Sequence, residues 1–117
     1  MAAGYSELFL EQGASFNTSI TLDDVNGAAF NLVGYSASSQ MRKSYYSSSA
    51  AATFTINTGD SPELGVITME LNSANTANIS PGRYVYDVYV TNTLSRVRVL
   101  EGIVNVSPQV TKSAGML

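Results

Sequence analysis

The chain contains no cysteine, no histidine and no tryptophan among its 117 residues. Without thiol and imidazole groups it has no disulfides, no thiolate or imidazole metal sites, no cysteine nucleophile and no Ser-His-Asp arrangement. The sequence does not indicate whether the protein works in an oxidising or a reducing compartment, because there is no thiol to oxidise. Composition alone therefore removes most of the common catalytic centres.

Charge is scarce as well. Charged residues make up 13% of the chain, and six basic against nine acidic residues give a net charge of −3. A nucleic-acid-binding domain carries the opposite balance, clustered on one face, so we expect no nucleic-acid partner. Ser, Thr and Asn take the place of charged residues, and such a surface has little self-repulsion to keep copies apart. This composition predicts a protein that works in contact with neighbours.

Long hydrophobic runs are also missing. The start of the chain has neither a basic segment nor an apolar one, and Glu7 follows soon after Met1. The apolar stretches are far shorter than the ~20 residues that a membrane-spanning helix needs. We therefore expect no membrane partner.

What the chain has instead is an alternation of apolar and polar residues with period 2. Phe16, Ile20 and Leu22 alternate with polar residues, as in a strand with one buried face. The same pattern predicts strands at residues 7–12, 16–22, 35–42, 52–57, 66–71, 83–91, 96–101 and 103–106, with residues 28–32 returning after the Asn26-Gly27 turn. Residues 72–78 are the one helix-like segment, which Asn72 or Ser73 can cap.

Seven to nine strands in about 105 residues predict an all-β fold, an antiparallel immunoglobulin-like β-sandwich. Tyr84 or Tyr86, just after Pro81-Gly82, is placed to form a tyrosine corner. Gly102 interrupts a strand pattern and predicts a bulge or a corner. We expect an N-terminal arm at residues 1–5, the sandwich at residues 6–106, and a C-terminal extension used in assembly at residues 107–117.

The polar motifs do not predict a catalytic centre. Asp23-Asp24-x-Asn26-Gly27 lacks the spacing of a calcium loop and is better explained as a hairpin turn. Lys43-Ser44 lies in a serine-rich loop, where a buried lysine base is not expected. Glu70, Asp87 and Glu101 lie on strand faces, where solvated carboxylates are ordinary. We therefore predict no enzyme, with no catalytic, cofactor-binding or metal-binding residue and no cofactor.

Exposed aromatic and apolar residues are the better candidates for a site. Tyr45 and Tyr46 are neighbours and point to opposite sides of the chain, so we expect at least one in solvent. Tyrosine is favoured in the centres of protein interfaces. The predicted interface residues are Tyr5, Tyr45, Tyr46, Val110, Met116 and Leu117.

Two groups of motifs carry a resemblance to a known family. The first half has Gly4-Tyr5, Glu11-Gln12-Gly13-x-x-Phe16, Leu22-x-Asp24-x-x-Gly27 and Leu32-Val33-Gly34-Tyr35. The second half has Pro81-Gly82-Arg83-Tyr84-Val85-Tyr86-Asp87-Val88 and Arg98-Val99-Leu100-Glu101-Gly102-x-Val104-x-Val106-x-Pro108-x-Val110-Thr111. In this order the motifs, over residues 4–112, resemble small β-sandwich virion structural proteins of tailed bacteriophages, notably myoviruses of cyanobacteria. They are also similar to the N-terminal modules of phage baseplate proteins.

This resemblance implies a non-enzymatic virion protein that docks onto other phage structural proteins in the tail, baseplate or neck, or decorates the capsid. Copies of the chain itself, in a symmetric assembly, are expected partners. An alternative is a carbohydrate-binding β-sandwich that aids recognition of the host surface. A weaker third hypothesis is a hydrolase that uses Glu70, Asp87 or Glu101.

Overall fold

The computed structural model describes residues 4–24, 26–59 and 62–111. It contains eight strands, one short α-helix and one 3-10 turn at Pro62–Leu64. The strands are β1 Gly4–Tyr5, β2 Leu8–Glu11, β3 Phe16–Thr21, β4 Ser36–Arg42, β5 Ala52–Asn57, β6 Val66–Leu71, β7 Gly82–Thr91 and β8 Arg96–Ser107. The helix, α1, is Ser73–Ala77. The predicted all-β, immunoglobulin-like sandwich is confirmed.

The strands form one curled sheet in the order β1-β8-β7-β4-β5-β6-β3, with β2 also paired to β8. The strand β5 joins two layers, because Ala52–Phe54 pair with β4 whereas Thr55–Asn57 pair with β6. The front layer is β1, β2, β8, β7 and β4, and the back layer is β6 and β3. The pairs are antiparallel except that β1 and β2 run parallel to β8.

The core lies between the two layers and follows the period-2 pattern. In β6 and β7 alternate side chains are buried, among them Ile67, Met69, Val88 and Val90. The ring of Phe54 lies 6.0 Å from that of Phe16 and 6.2 Å from that of Tyr86, so aromatic contacts join back layer to front. With no disulfide available, burial of these side chains is the main source of stability.

Several local predictions are confirmed. The Tyr84 hydroxyl donates to the carbonyl of Ser80 at 2.6 Å, which is the contact of a tyrosine corner. Asn72 caps α1 by accepting from the backbone N–H of Asn75 at 2.8 Å. Gly27 has a φ of +82°, which fits the predicted turn.

One further expectation was confirmed and one was wrong. Residues 28–32 return beside the segment before the Asn26-Gly27 turn, where Ala29 makes an isolated antiparallel bridge to Asp23 and Phe30 donates its N–H to Leu22, although they form no continuous strand. Gly102 is neither a bulge nor a corner, because β8 runs through it and the register shift lies at Val88/Tyr89. The glycine instead leaves room for the carbonyl of Ser6, which would lie only 2.0 Å from an added Cβ.

The expected limits of arm, sandwich and extension stay predictions. In the structure, Gly4 and Tyr5 pair with Leu100 and Glu101, and Ser107 is the last residue of β8. In the described part of the chain, no helix has the length and apolar character needed to span a membrane.

Candidate interaction surface

The outward side chains of β4, β7 and β8 make a polar and aromatic surface, which we call the front face. It consists of the central outward residues of these strands: Ser38, Gln40, Arg42, Val85, Asp87, Tyr89, Arg96, Arg98, Glu101 and Ile103. These residues lie together because cross-strand partners share a face of the sheet. The composition of this surface differs from the rest of the chain, since it gathers three arginines in a protein of net charge −3.

Asp87 lies at the centre of the front face, paired with Gln40 on one side and Glu101 on the other. Partial burial raises the pKa of its carboxyl, and Glu101 adds to the rise. The positive charges of Arg98, Arg96 and Arg42 oppose the rise, in that order of size. The fold thus keeps a carboxylate where solvation is reduced, with guanidinium groups around it.

Two arginines are held in defined positions. The Arg96 guanidinium carbon lies 3.6 Å from the centre of the Tyr89 ring, a cation–π contact. Arg42 donates through Nη1 to the carbonyl of Ser47 at 3.0 Å and through Nη2 to Oε1 of Gln40 at 2.8 Å. Because these side chains are already ordered, binding a partner through them costs less conformational entropy.

An open groove of about 250 Å³ runs over the front face. The residues that line it are Gln40, Arg42, Ser44, Tyr45, Val85, Tyr86, Asp87, Tyr89 and Arg96. Tyr45 comes from the loop after β4, so this predicted interface residue forms a wall of the groove while 66% of its surface stays exposed.

The loop at residues 43–51 is braced rather than free. Ser47 donates its N–H to the carbonyl of Ser44, and Ser44 donates its N–H to Oγ of Ser47 at 3.1 Å. Ala51 closes the loop by donating its N–H to Met41 at 2.7 Å. The loop presents Tyr46 with 97% of its surface in solvent.

The other predicted interface residues lie apart from the groove. Tyr5 is opposite Glu101 in β1 and is 64% exposed, on the same layer as the front face. Val110 is 96% exposed beyond the end of β8, and the segment before it is tied down where Gln109 donates its N–H to Gln12 at 3.3 Å. Met116 and Leu117 lie outside the described residues.

The sequence did not single out Phe9, whose ring is exposed beside Asn105 on the front layer. The alternation Leu8-Phe9-Leu10, with the two leucines buried, was the signal that could have found it. The arrangement of Asp87 between Gln40 and Glu101 was also missed, since cross-strand register is not visible in one sequence.

The carboxylates considered for hydrolysis are split between the layers. Asp87 and Glu101 are cross-strand neighbours, whereas Glu70 lies on the back layer and accepts a hydrogen bond from Nδ2 of Asn17 at 2.8 Å. Within the described ranges no group of three acidic residues is placed to hold a metal ion. The arrangement can offer guanidinium donors, a carboxylate acceptor and aromatic faces to a bound molecule.

Comparison with family models and with curated protein sequences finds no match. Among solved structures, the chain is similar to part of the endo-β-1,4-mannanase from Thermotoga petrophila, at 11% identity and a TM-score of 0.49, covering 92% of this chain and 18% of that one. It is also similar to part of a family 123 glycoside hydrolase from Clostridium perfringens, at 12% identity and a TM-score of 0.42, covering 93% and 24%. The PKD domain of the KIAA 1837 protein matches at 18% identity and a TM-score of 0.28, covering 98% and 91%. The chain spans a quarter or less of the two hydrolases, and at these scores the likeness carries no information on activity.

Proposed function

We propose that this chain is a non-enzymatic structural module of a bacteriophage particle, which docks onto other particle proteins in the tail, baseplate or neck, or decorates the capsid. The motifs over residues 4–112 that resemble virion proteins support the assignment to a phage particle. The observation that supports docking is the pair Tyr45 and Tyr46, held in solvent on a hydrogen-bonded loop next to the front face.

An exposed tyrosine on an ordered loop is well suited to binding a protein. Such a ring brings a large contact area into an interface and has few torsion angles to immobilise. Arg42 and Arg96 add guanidinium donors that can reach carboxylates or backbone carbonyls of a partner. Weak charge elsewhere lowers the electrostatic repulsion between closely packed copies.

The test is incorporation into particles. Phage carrying the Tyr45→Ala and Tyr46→Ala double substitution should retain much less of this chain after purification than wild-type phage, measured by quantitative mass spectrometry. Leu94→Ala is the matched control, because Leu94 is 92% exposed on the turn between β7 and β8, away from the loop. A wild-type chain that is absent from purified particles would overturn the proposal.

The groove favours a second candidate, a carbohydrate-binding module. Tyr45 offers an aromatic ring to a sugar, and Asp87, Gln40 and Arg42 offer acceptors and donors to its hydroxyl groups. Binding to a glycan array that is lost in both Tyr45→Ala and Asp87→Asn, but not in Leu94→Ala, would favour this function. No binding to any glycan would remove it.

A further inference from the structure

The strand β3 is an open edge of the back layer. Among the residues that the structure describes, β3 pairs only with β6, in an uninterrupted register from Phe16↔Leu71 to Thr21↔Val66. On the other side of β3, the described part of the chain places no strand. An edge of this kind presents unpaired backbone groups to any further strand.

The positions of the free backbone groups follow from the ladder. Leu22 donates its N–H to Gly65 at 2.7 Å, directly beyond the pair Thr21↔Val66. In an antiparallel ladder alternate residues direct both N–H and C=O to the same neighbour. Phe16, Thr18 and Ile20 therefore bond to β6, and Asn17, Ser19 and Thr21 direct their backbone groups away from it.

This edge lacks the usual protection against pairing. The six residues of β3 include no charged side chain, no proline and no glycine, and the register with β6 contains no bulge. The β2 edge differs, because Glu7 directly precedes that strand and Glu11 is its last residue. These carboxylates would repel the same strand of a second copy. Charge therefore selects β3 as the edge at which two copies meet without facing carboxylates.

We propose that two copies of this chain pair through β3, antiparallel and about a two-fold axis at Ser19, so that the back layers form one continuous sheet. In this register Ser19 faces Ser19 of the second copy, and Asn17 faces Thr21. All three outward residues of each copy then exchange backbone hydrogen bonds, so the edge is fully paired.

The side chains agree with this register. Thr18 of one copy lies opposite Ile20 of the other, on the face that already holds the core. Phe16 and Ile20 are only half-buried in the single chain, although both pack against the core. A second β3 covers this flank, which adds apolar burial to the hydrogen bonds.

The inference goes beyond docking onto particle proteins, because it concerns the back layer and a second copy of the chain. Tyr45 and Tyr46 follow β4 on the front layer. A failure of either proposal therefore leaves the other one standing, since the dimer is tested on the purified chain and particle docking on purified phage.

Single cysteines test the register, because the chain has none of its own. In a hydrogen-bonded antiparallel pair the two Cα atoms are ~5.5 Å apart, which a disulfide can span. We expect Ser19→Cys to give a covalent dimer on mild oxidation. Asn17→Cys is the matched control on the same strand and face, since the two copies of residue 17 lie about 13 Å apart along the strands. Equal cross-linking of the two variants would overturn the register.

Charges introduced at Ser19 test the dimer itself, which is measured by sedimentation equilibrium of the full chain. We expect a concentration-dependent dimer for the wild type. Ser19→Lys and Ser19→Glu should each dimerise about fivefold more weakly, because like charges then face each other. An equimolar mixture of the two variants should restore the dimer. Thr68→Lys is the control, since Thr68 lies beside Ser19 on the inner neighbour β6, with their hydroxyl oxygens 3.3 Å apart.

Circular dichroism and urea unfolding establish that each variant is folded before its association is compared. A wild-type chain that stays monomeric at every concentration overturns the proposal. So does a dimer that Ser19→Lys leaves intact.

Discussion

On β7, Asp87 stands between Gln40 and Glu101, and partial burial raises the pKa of its carboxyl. At the scale of the residue this means that the charged form is less favourable in the folded chain than in the unfolded one. A folded-state pKa above the unfolded value favours the protonated carboxyl. The charge of Asp87 therefore lowers stability above its folded pKa, and this cost disappears below about pH 4, where the unfolded carboxyl is also protonated.

We predict that Asp87→Asn is more stable than the wild type at pH 7 and that the advantage shrinks toward pH 3. The measurement is the free energy of unfolding from urea titrations at both pH values. Glu63→Gln is the control, because Glu63 is an exposed carboxylate in the 3-10 turn. A variant that is less stable than the wild type at pH 7 would contradict the expected sign. If the prediction holds, the carboxylate is retained at a cost to folding, as expected of a group used in binding.

Single residues differ in how well sequence predicts them. The Tyr84 contact was predictable because its acceptor, Ser80, is only four positions away in the chain. The environment of Asp87 was not, because it depends on Glu101 being its cross-strand partner. That pairing depends in turn on the register shift at Val88/Tyr89, for which the sequence carries no signal.

At the scale of the element, the close approach of Ser6 to β8 depends on Gly102. An added Cβ would lie 2.0 Å from the Ser6 carbonyl oxygen and 3.0 Å from Cε1 of Tyr86. The Tyr86 hydroxyl donates to that same carbonyl at 2.6 Å. The segment between β1 and β2 is thus held against the sheet where β8 has no side chain.

We predict that Gly102→Ala lowers the free energy of unfolding by about 1–3 kcal/mol, because the methyl group displaces this segment. Gly4→Ala is the matched control on the adjoining strand, where an added Cβ would meet Leu100 Cδ1 at an ordinary 3.6 Å. Urea unfolding measures the stability, and hydrogen exchange at Ser6, whose N–H donates to Glu101, reports on the segment. Equal stability of the two variants would show that the Ser6 carbonyl does not lie too close to Gly102 to admit a side chain.

Strand boundaries were predictable where apolar and polar residues alternate regularly along the sequence. Apolar and polar residues alternate over 52–57 and over 67–71, and the observed strands have the predicted limits 52–57 and 66–71. Residues 28–32 also contain apolar side chains, but their N–H groups find scattered acceptors: Phe30 donates to Leu22, and Leu32 to Pro62. A segment becomes a strand only when its backbone hydrogen bonds go to one partner strand. Local composition does not reveal whether such a partner exists.

At the scale of the whole molecule, β5 belongs to both layers, and Phe54 lies where the strand passes from one to the other. We predict that Phe54→Ala lowers the free energy of unfolding by about 3–5 kcal/mol, because a buried ring in contact with both layers is lost. Hydrogen exchange should show amides of β6 and β7 losing protection together. Leu94→Ala, a truncation in solvent, should change stability by less than about 0.5 kcal/mol. Loss of protection in β6 alone would mean that the layers unfold independently.

The parallel pairing of β2 with β8 has a mechanical consequence. Residue 4 lies at one end of this pair of strands and residue 107 at the other. Tension applied between these two points loads the interstrand bonds in shear, so they must yield together rather than peel apart one by one. A module with this geometry can transmit force between these two points while its strands stay paired.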